Sequence, residues 1–177
     1  MTEVHLTAAQ ADDTRAVGRA LAGLLRAGDL VLLSGGLGAG KTTLTQGLGE
    51  GLGVRGQVAS PTFVIARVHP ALGGGPDLVH VDAYRLGSLD EVDALDLDTS
   101  LADSVTVVEW GTGKVEALAA DRLEVHLQRP EGTAGVAPAG DGPVDLTELA
   151  HDAPRRIVVR GIGPRWDGVD LASLAGG

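Results

Sequence analysis

Apolar residues along this 177-residue chain recur in two rhythms. In Ala8–Arg26 the pairs Ala16/Val17, Ala20/Leu21 and Leu24/Leu25 return at helical spacing, which predicts an amphipathic helix stopped at Gly28. Thr7 followed by Gln10 has the spacing of a capping box at its start. Leu30–Leu33 and Val105–Val108 are unbroken apolar runs of strand length, the pattern of strands buried on both faces of a parallel sheet. A second helix is predicted over Lys41–Leu52, ended by Gly53. Further strands are expected at Val4–Leu6, Thr62–His69, Leu78–Ala83, Leu123–Leu127 and Ile157–Val159. Ser88 and Glu91 form another capping-box signature, before a short acidic helix, and Asp167–Leu174 suggests a closing helix. The Gly-rich stretches 71–76 and 131–152 read as flexible insertions in one domain spanning 1–177. Alternating strands and helices argue an α/β fold, and late strands without a long helix between them argue a mixed sheet.

Composition narrows the chemistry. The chain has no Cys, which excludes a disulfide scaffold and any thiolate-ligated metal. No apolar run approaches the roughly 18 residues of a membrane span, and the N-terminal stretch lacks the features of a secretory signal, so a cytoplasmic location with no membrane association is expected. The net charge is -10, a poor balance for gripping a nucleic-acid backbone unaided, and no DNA partner is expected. Acids concentrate in residues 77–109, with nine acids to one base, and within it Ser88–Asp103, with six acids and no base, is read as a solvated helix face or a docking face for a basic partner. Lys occurs only at positions 41 and 114, against twelve Arg, so a lysine kept at Lys41 is informative.

Residues 35–42 read Gly35-Gly36-Leu37-Gly38-Ala39-Gly40-Lys41-Thr42, which matches G-x-x-x-x-G-K-[ST] between a buried strand and a helix. Glycines let successive N–H groups turn toward phosphate oxygens, and the helix that follows points its positive dipole end at the same place. Lys41 supplies a charge to the β- and γ-phosphates, Thr42 a hydroxyl for Mg²⁺, and Thr43 continues the same phosphate-binding set. The neighbouring Gly111–Lys114 is a superficial echo, read as a loop. Such a loop needs an acid at the end of an adjacent strand. Glu109, after Val105–Val108, and Asp82, after Val79-His80-Val81, are the two candidates, either to hold Mg²⁺ or to polarise water. Thr62 in Ser60-Pro61-Thr62-Phe63 is placed to sense the γ-phosphate as a switch residue. His80 reads as a packed or hydrogen-bonded histidine.

Together, LSGGLGAGKTTL (33–44), SPTF (60–63), HVDAYRL (80–86) and VEW (108–110) resemble the bacterial TsaE family, also called YjeE, over roughly residues 4–129. The resemblance implies a P-loop NTPase-type α/β fold, mostly parallel with added antiparallel strands and helices on both faces. It implies an ATPase that acts with the proteins TsaB and TsaD in making threonylcarbamoyladenosine on tRNAs reading codons that begin with A, with tRNA held by the partners. Carried onto this chain, Lys41 matches the phosphate lysine, Thr42 and Glu109 the Mg²⁺ ligands, Asp82 the acid needed for hydrolysis and Thr62 the switch. Trp110 matches an aromatic that packs or meets a partner, and Thr7 lies near where the family's N-terminal segment approaches adenine. The family usually carries Asp where this chain has Gly36. The alternative is a small-molecule P-loop kinase, with Arg155, Arg156 and Arg165 imagined as its lid. A GTP-dependent switch is discounted, because Lys114 lacks the neighbours of an Asn-Lys-x-Asp loop.

Overall fold

The computed structural model describes residues 2–59, 66–85, 102–113, 115–116, 119–129 and 154–176. Seven strands form one sheet: β1 (Thr2–Ala8), β2 (Leu30–Ser34), β3 (Ala66–His69), β4 (Asp77–Asp82), β5 (Ser104–Glu109), β6 (Arg122–Gln128) and β7 (Arg155–Ile162), in the order β1-β7-β6-β2-β5-β4-β3. The central strands β4, β5, β2 and β6 run parallel, while β7, β1 and β3 are added antiparallel. The mixed sheet expected from the sequence is therefore present. Every residue of β5 is buried, and β2 is buried from Leu30 to Leu33. That burial explains their unbroken apolar runs. On β6 and β7 buried and less buried positions alternate, as on strands with one covered face.

Helices α1 (Ala11–Ala22) and α2 (Lys41–Leu52) lie on the same face of the sheet. Leu21, Leu44 and Leu48 pack there on Val31, Leu33, Val107, Val125 and Ile157. On the opposite face Leu30, Leu32, Val79, Val81 and Val108 meet Ala83 and Val115. So, among the described residues, both α-helices share one face, and the acidic helix expected after Ser88 lies outside the described residues, as does the 131–152 stretch. The 71–76 loop is anchored where Leu72 N–H donates to Gly53 O at 2.9 Å and Ala71 N–H to Asp77 Oδ1 at 2.8 Å.

The two helices approach closely because glycines face each other's backbone. A Cβ added at Gly18 would stand 2.3 Å from Leu44 O, and one at Gly47 would stand 2.1 Å from Arg15 O. α1 begins later than the Thr7–Gln10 spacing suggests. Thr7 and Ala8 pair with Arg156 and Arg155 in the sheet, and the cap passes to Gln10, with Asp13 accepting from the Ala9 and Gln10 N–H groups at 2.9 and 3.0 Å. The closing helix is a 3₁₀ turn over Leu171–Gly176. Leu171 and Leu174 bury it in the core, and ahead of it the Arg165 guanidinium grips Asp29 with two bonds of 3.0 and 2.9 Å and also donates to Leu24 O. Among the described residues no helix is long and apolar enough to cross a membrane.

Candidate functional site

The parallel strands β2, β5 and β4 all end at one edge of the sheet, and the Gly-rich loop leaves β2 there. Gly35 has φ +140°, and a Cβ on it would meet Leu127 O at 2.3 Å, so only glycine lets the loop turn over β6. Gly40 is left-handed at φ +106° and caps α2 with no side-chain hydrogen bond. The first N–H groups of α2 thus have no competing side-chain cap, the arrangement that receives anions. Gly36 has open space around a would-be Cβ, so the missing family Asp leaves the turn undistorted.

Lys41 folds back over this loop. Its ammonium donates to Gly35 O at 2.9 Å and Gly36 O at 3.0 Å, and lies 3.9 Å from the centroid of the Trp110 ring. Burial lowers its pKa from the ordinary lysine value, while Glu109 and Asp82 act in the opposite direction. Trp110 takes a left-handed backbone, φ 61°, uncommon for a bulky residue, and Tyr84 meets its ring edge-on at 5.4 Å. The aromatic whose role the sequence left open is therefore the platform beneath the Lys41 ammonium.

Strand alternation explains the acids. Leu78, Val105 and Val107 face the helices, so His80, Asp82 and Glu109, at even steps along β4 and β5, turn to the same side. Asp82 pairs in register with Glu109, and Glu109 with Leu33 at the mouth of the loop. Thr42 Oγ1 donates to Glu109 Oε1 at 3.3 Å, and the same oxygen is 2.9 Å from His80 Nε2. His80 and Glu109 are both buried, at 0% and 3% exposure. The sequence assigned His80 no role at the site. Its signal was the His-x-Asp alternation, which puts it beside whichever acid ends the next strand.

Lys41, Thr42, Glu109 and Asp82 thus converge as expected, with Gly35, Gly36, Leu37, Gly38, Ala39, Gly40 and Thr43 forming the loop and first turn around them. Thr62 lies outside the described residues. Thr7 is exposed on edge strand β1 opposite Arg156, three strands from β2. A hydroxyl beside a carboxylate is a hard oxygen pair that suits Mg²⁺, which keeps its remaining ligands from phosphate and water. Among the described residues no cluster of three His, Cys, Asp or Glu could hold a metal ion by itself. The lid imagined for a kinase loses one member, because Arg165 is locked on Asp29 with its guanidinium over the Trp166 ring.

Comparison with known proteins agrees with this geometry. The family model described as threonylcarbamoyl adenosine biosynthesis protein TsaE matches residues 8–135. A protein of Streptomyces coelicolor named tRNA threonylcarbamoyladenosine biosynthesis protein TsaE is 61% identical over 163 residues, covering 92% of this chain and 99% of its own. The Bacillus subtilis protein of the same name is 36% identical, over 78% of this chain and 80% of its own. The crystal structure of Bacillus subtilis YdiB superposes with a TM-score of 0.65 at 29% identity, covering 94% of this chain and 90% of that one. With most of its length inside the family match and its fold shared with a solved relative, the chain belongs to the TsaE family of threonylcarbamoyl adenosine biosynthesis proteins.

Proposed function

We propose that this chain binds ATP with Mg²⁺ on the loop 35–43 and hydrolyses it, as the ATPase accessory to TsaB and TsaD in making threonylcarbamoyladenosine on tRNA. The observation that carries the ATPase reading is the meeting of Lys41, Thr42 and Glu109 at the mouth of a glycine loop. Loop N–H groups and the α2 dipole hold the phosphates, and Lys41 exchanges its carbonyl partners for the terminal phosphate oxygens. Mg²⁺ held by Thr42 and Glu109 would offset charge between the β- and γ-phosphates. His80 fixes the Glu109 carboxylate through its oxygen. Asp82, one strand further out, orients the attacking water and takes up its proton. Membership of the family and the acidic charge balance support the partner part: tRNA is bound by the partners, and this chain supplies turnover.

The test is hydrolysis of labelled ATP by the whole chain, alone and with TsaB and TsaD. Label should end on inorganic phosphate, with turnover raised by the pair, and Glu109→Gln should cut turnover tenfold to a thousandfold, roughly the loss from one electrostatic element, while retaining nucleotide binding. Label ending on a metabolite would favour the kinase alternative. Unchanged turnover in the variant would move the metal role to Asp82.

A further inference from the structure

Two buried histidines stand on neighbouring strands at the outer side of the site. His80 of β4 is 0% exposed and His69 of β3 is 5% exposed. In the antiparallel pair β3–β4, Arg67 lies opposite His80 and His69 opposite Leu78, so His69 sits on the diagonal from His80, toward the start of β4. Across the other edge of β4, His80 pairs with Val107 and Asp82 with Glu109, so Glu109 sits on the diagonal toward the end of β4. Glu109, His80 and His69 therefore lie along one oblique line over three strands. The two nitrogens of an imidazole ring point in widely divergent directions. His80 Nε2 is 2.9 Å from Glu109 Oε1, so Nδ1 is turned away from Glu109, to the His69 side. Burial first, and then the charge of His80, lower His69 from the ordinary 6.5, so the two rings are within electrostatic reach. His80 Nδ1 and His69 Nε2 are both buried with no hydrogen-bond partner.

The partners fix where the protons sit. A carboxylate oxygen only accepts, so His80 Nε2 carries the proton and Nδ1 of the neutral ring is a bare acceptor. His69 is bonded to the backbone of Arg55 in the sense that favours its protonated form, so the ring donates there to a carbonyl. Because Nε2 is the unpartnered nitrogen, the donor is Nδ1, and Nε2 is a bare acceptor as well. Two bare acceptors cannot bond each other, and each is costly to bury unpaired. A water molecule brings two donors. The α-carbons on such a diagonal are about 7–8 Å apart, a separation that two imidazole rings with one water between them can span.

We propose that His69 is a positioning residue for ATP hydrolysis: one buried water, donating to His69 Nε2 and His80 Nδ1, holds His80 in the tautomer that donates to Glu109. This rests on the reading of Glu109 as the acid that holds Mg²⁺. Without the water the His80 proton is free to sit on Nδ1, which turns a bare nitrogen toward the Glu109 oxygen and releases the carboxylate from its orientation. The far end of the relay is firm, because Arg55 N–H donates to Pro70 O at 2.8 Å, next to His69.

The experiment reads tautomer and turnover together, on the whole chain labelled with ¹⁵N-histidine. Long-range nitrogen–proton correlation spectra show which ring nitrogens carry protons, and His80→Leu assigns the His80 signals. Wild type should show His80 protonated on Nε2 and bare on Nδ1, and His69 the reverse. His69→Phe keeps a ring but offers no acceptor. It should move His80 to a mixture of tautomers and lower turnover at saturating Mg·ATP by about two- to tenfold, the equivalent of one neutral hydrogen bond, with ATP affinity within twofold of wild type. His69→Gln, whose amide supplies both a donor and an acceptor, should recover the His80 tautomer and part of the turnover. A wild-type spectrum with the His80 proton on Nδ1 would overturn the proposal whether or not any variant folds. So would a His69→Phe variant that slows turnover while the His80 tautomer stays put, since that is a structural effect only. Should wild type fail to hydrolyse ATP even with TsaB and TsaD, the reading of the site falls and takes the positioning role with it; wild-type hydrolysis with unchanged tautomer and turnover in His69→Phe defeats the positioning role alone.

Discussion

Gly47→Ala should destabilise this protein, although glycine to alanine inside a helix ordinarily stabilises by about 1 kcal/mol. The new methyl carbon would stand 2.1 Å from Arg15 O and 2.9 Å from Arg15 C, where ordinary contacts begin near 3.4 Å. Both obstacles are backbone, so no rotamer change relieves them. The helices must part by about an ångström, and Gly18 against Leu44 O holds them together from the other side. Overpacking of this kind costs typically 1–3 kcal/mol or more, against the helix gain of about 1. With two backbone atoms this close the cost falls at the upper end, roughly 3 kcal/mol, so a net loss of about 2 kcal/mol should lower the melting temperature by roughly 4–8 °C for a chain of this size. Thermal melts followed by circular dichroism measure it, with Gly36→Ala, which meets nothing within 4 Å, as the tolerated comparison. A melting temperature equal to or above wild type for Gly47→Ala would refute the claim that glycines set the α1–α2 distance.

Arg165→Ala should cost about 3–5 kcal/mol in urea unfolding, because it leaves Asp29 buried without its two-bonded partner; a loss under about 1 kcal/mol would mean the pair is dispensable. His80→Leu should leave nucleotide affinity near wild type while lowering turnover at saturating ATP, since Glu109 loses its 2.9 Å partner; a change in affinity alone would contradict that role. His69 is buried, and burial first, then His80 and Arg67, hold it below its ordinary 6.5. Between its depressed value and 6.5 the unfolded chain binds more protons than the folded one, so its contribution is intact above 6.5 and is lost as pH falls below it. Urea midpoints from pH 8 to 5 should therefore fall less steeply in His69→Gln than in wild type, and equal slopes would exclude His69 as the cause.

What the sequence made legible was whatever depends on neighbours along the chain. The apolar runs of β2 and β5 and the glycine loop needed only local pattern, and so did the carboxylates closing β4 and β5. The start of α1 was misread because Thr7 and Ala8 satisfy their backbone groups on β7, far away in sequence, and that pairing outweighs a local cap signal. The Trp110 platform and the His80 bond to Glu109 were hidden for the same reason. Each depends on which strand ends beside which, and spacing along the chain does not encode strand order.

Strand order also accounts for the division of charge across the site. A ligand of a parallel sheet sits beyond the carboxyl ends of its strands, and here β2 delivers the loop between two unlike neighbours. On one side β5 and β4 are parallel to β2, so their last residues, Glu109 and Asp82, reach the same edge as the loop. On the other side β7 is antiparallel, so its first residues reach that edge, bringing Arg155 and Arg156 beside the end of β6. Reversing β7 would carry those arginines to the far end of the sheet and leave the loop with acids on one flank and nothing opposite. The antiparallel addition is thus what gives a negatively charged chain a positive flank beside the glycine loop.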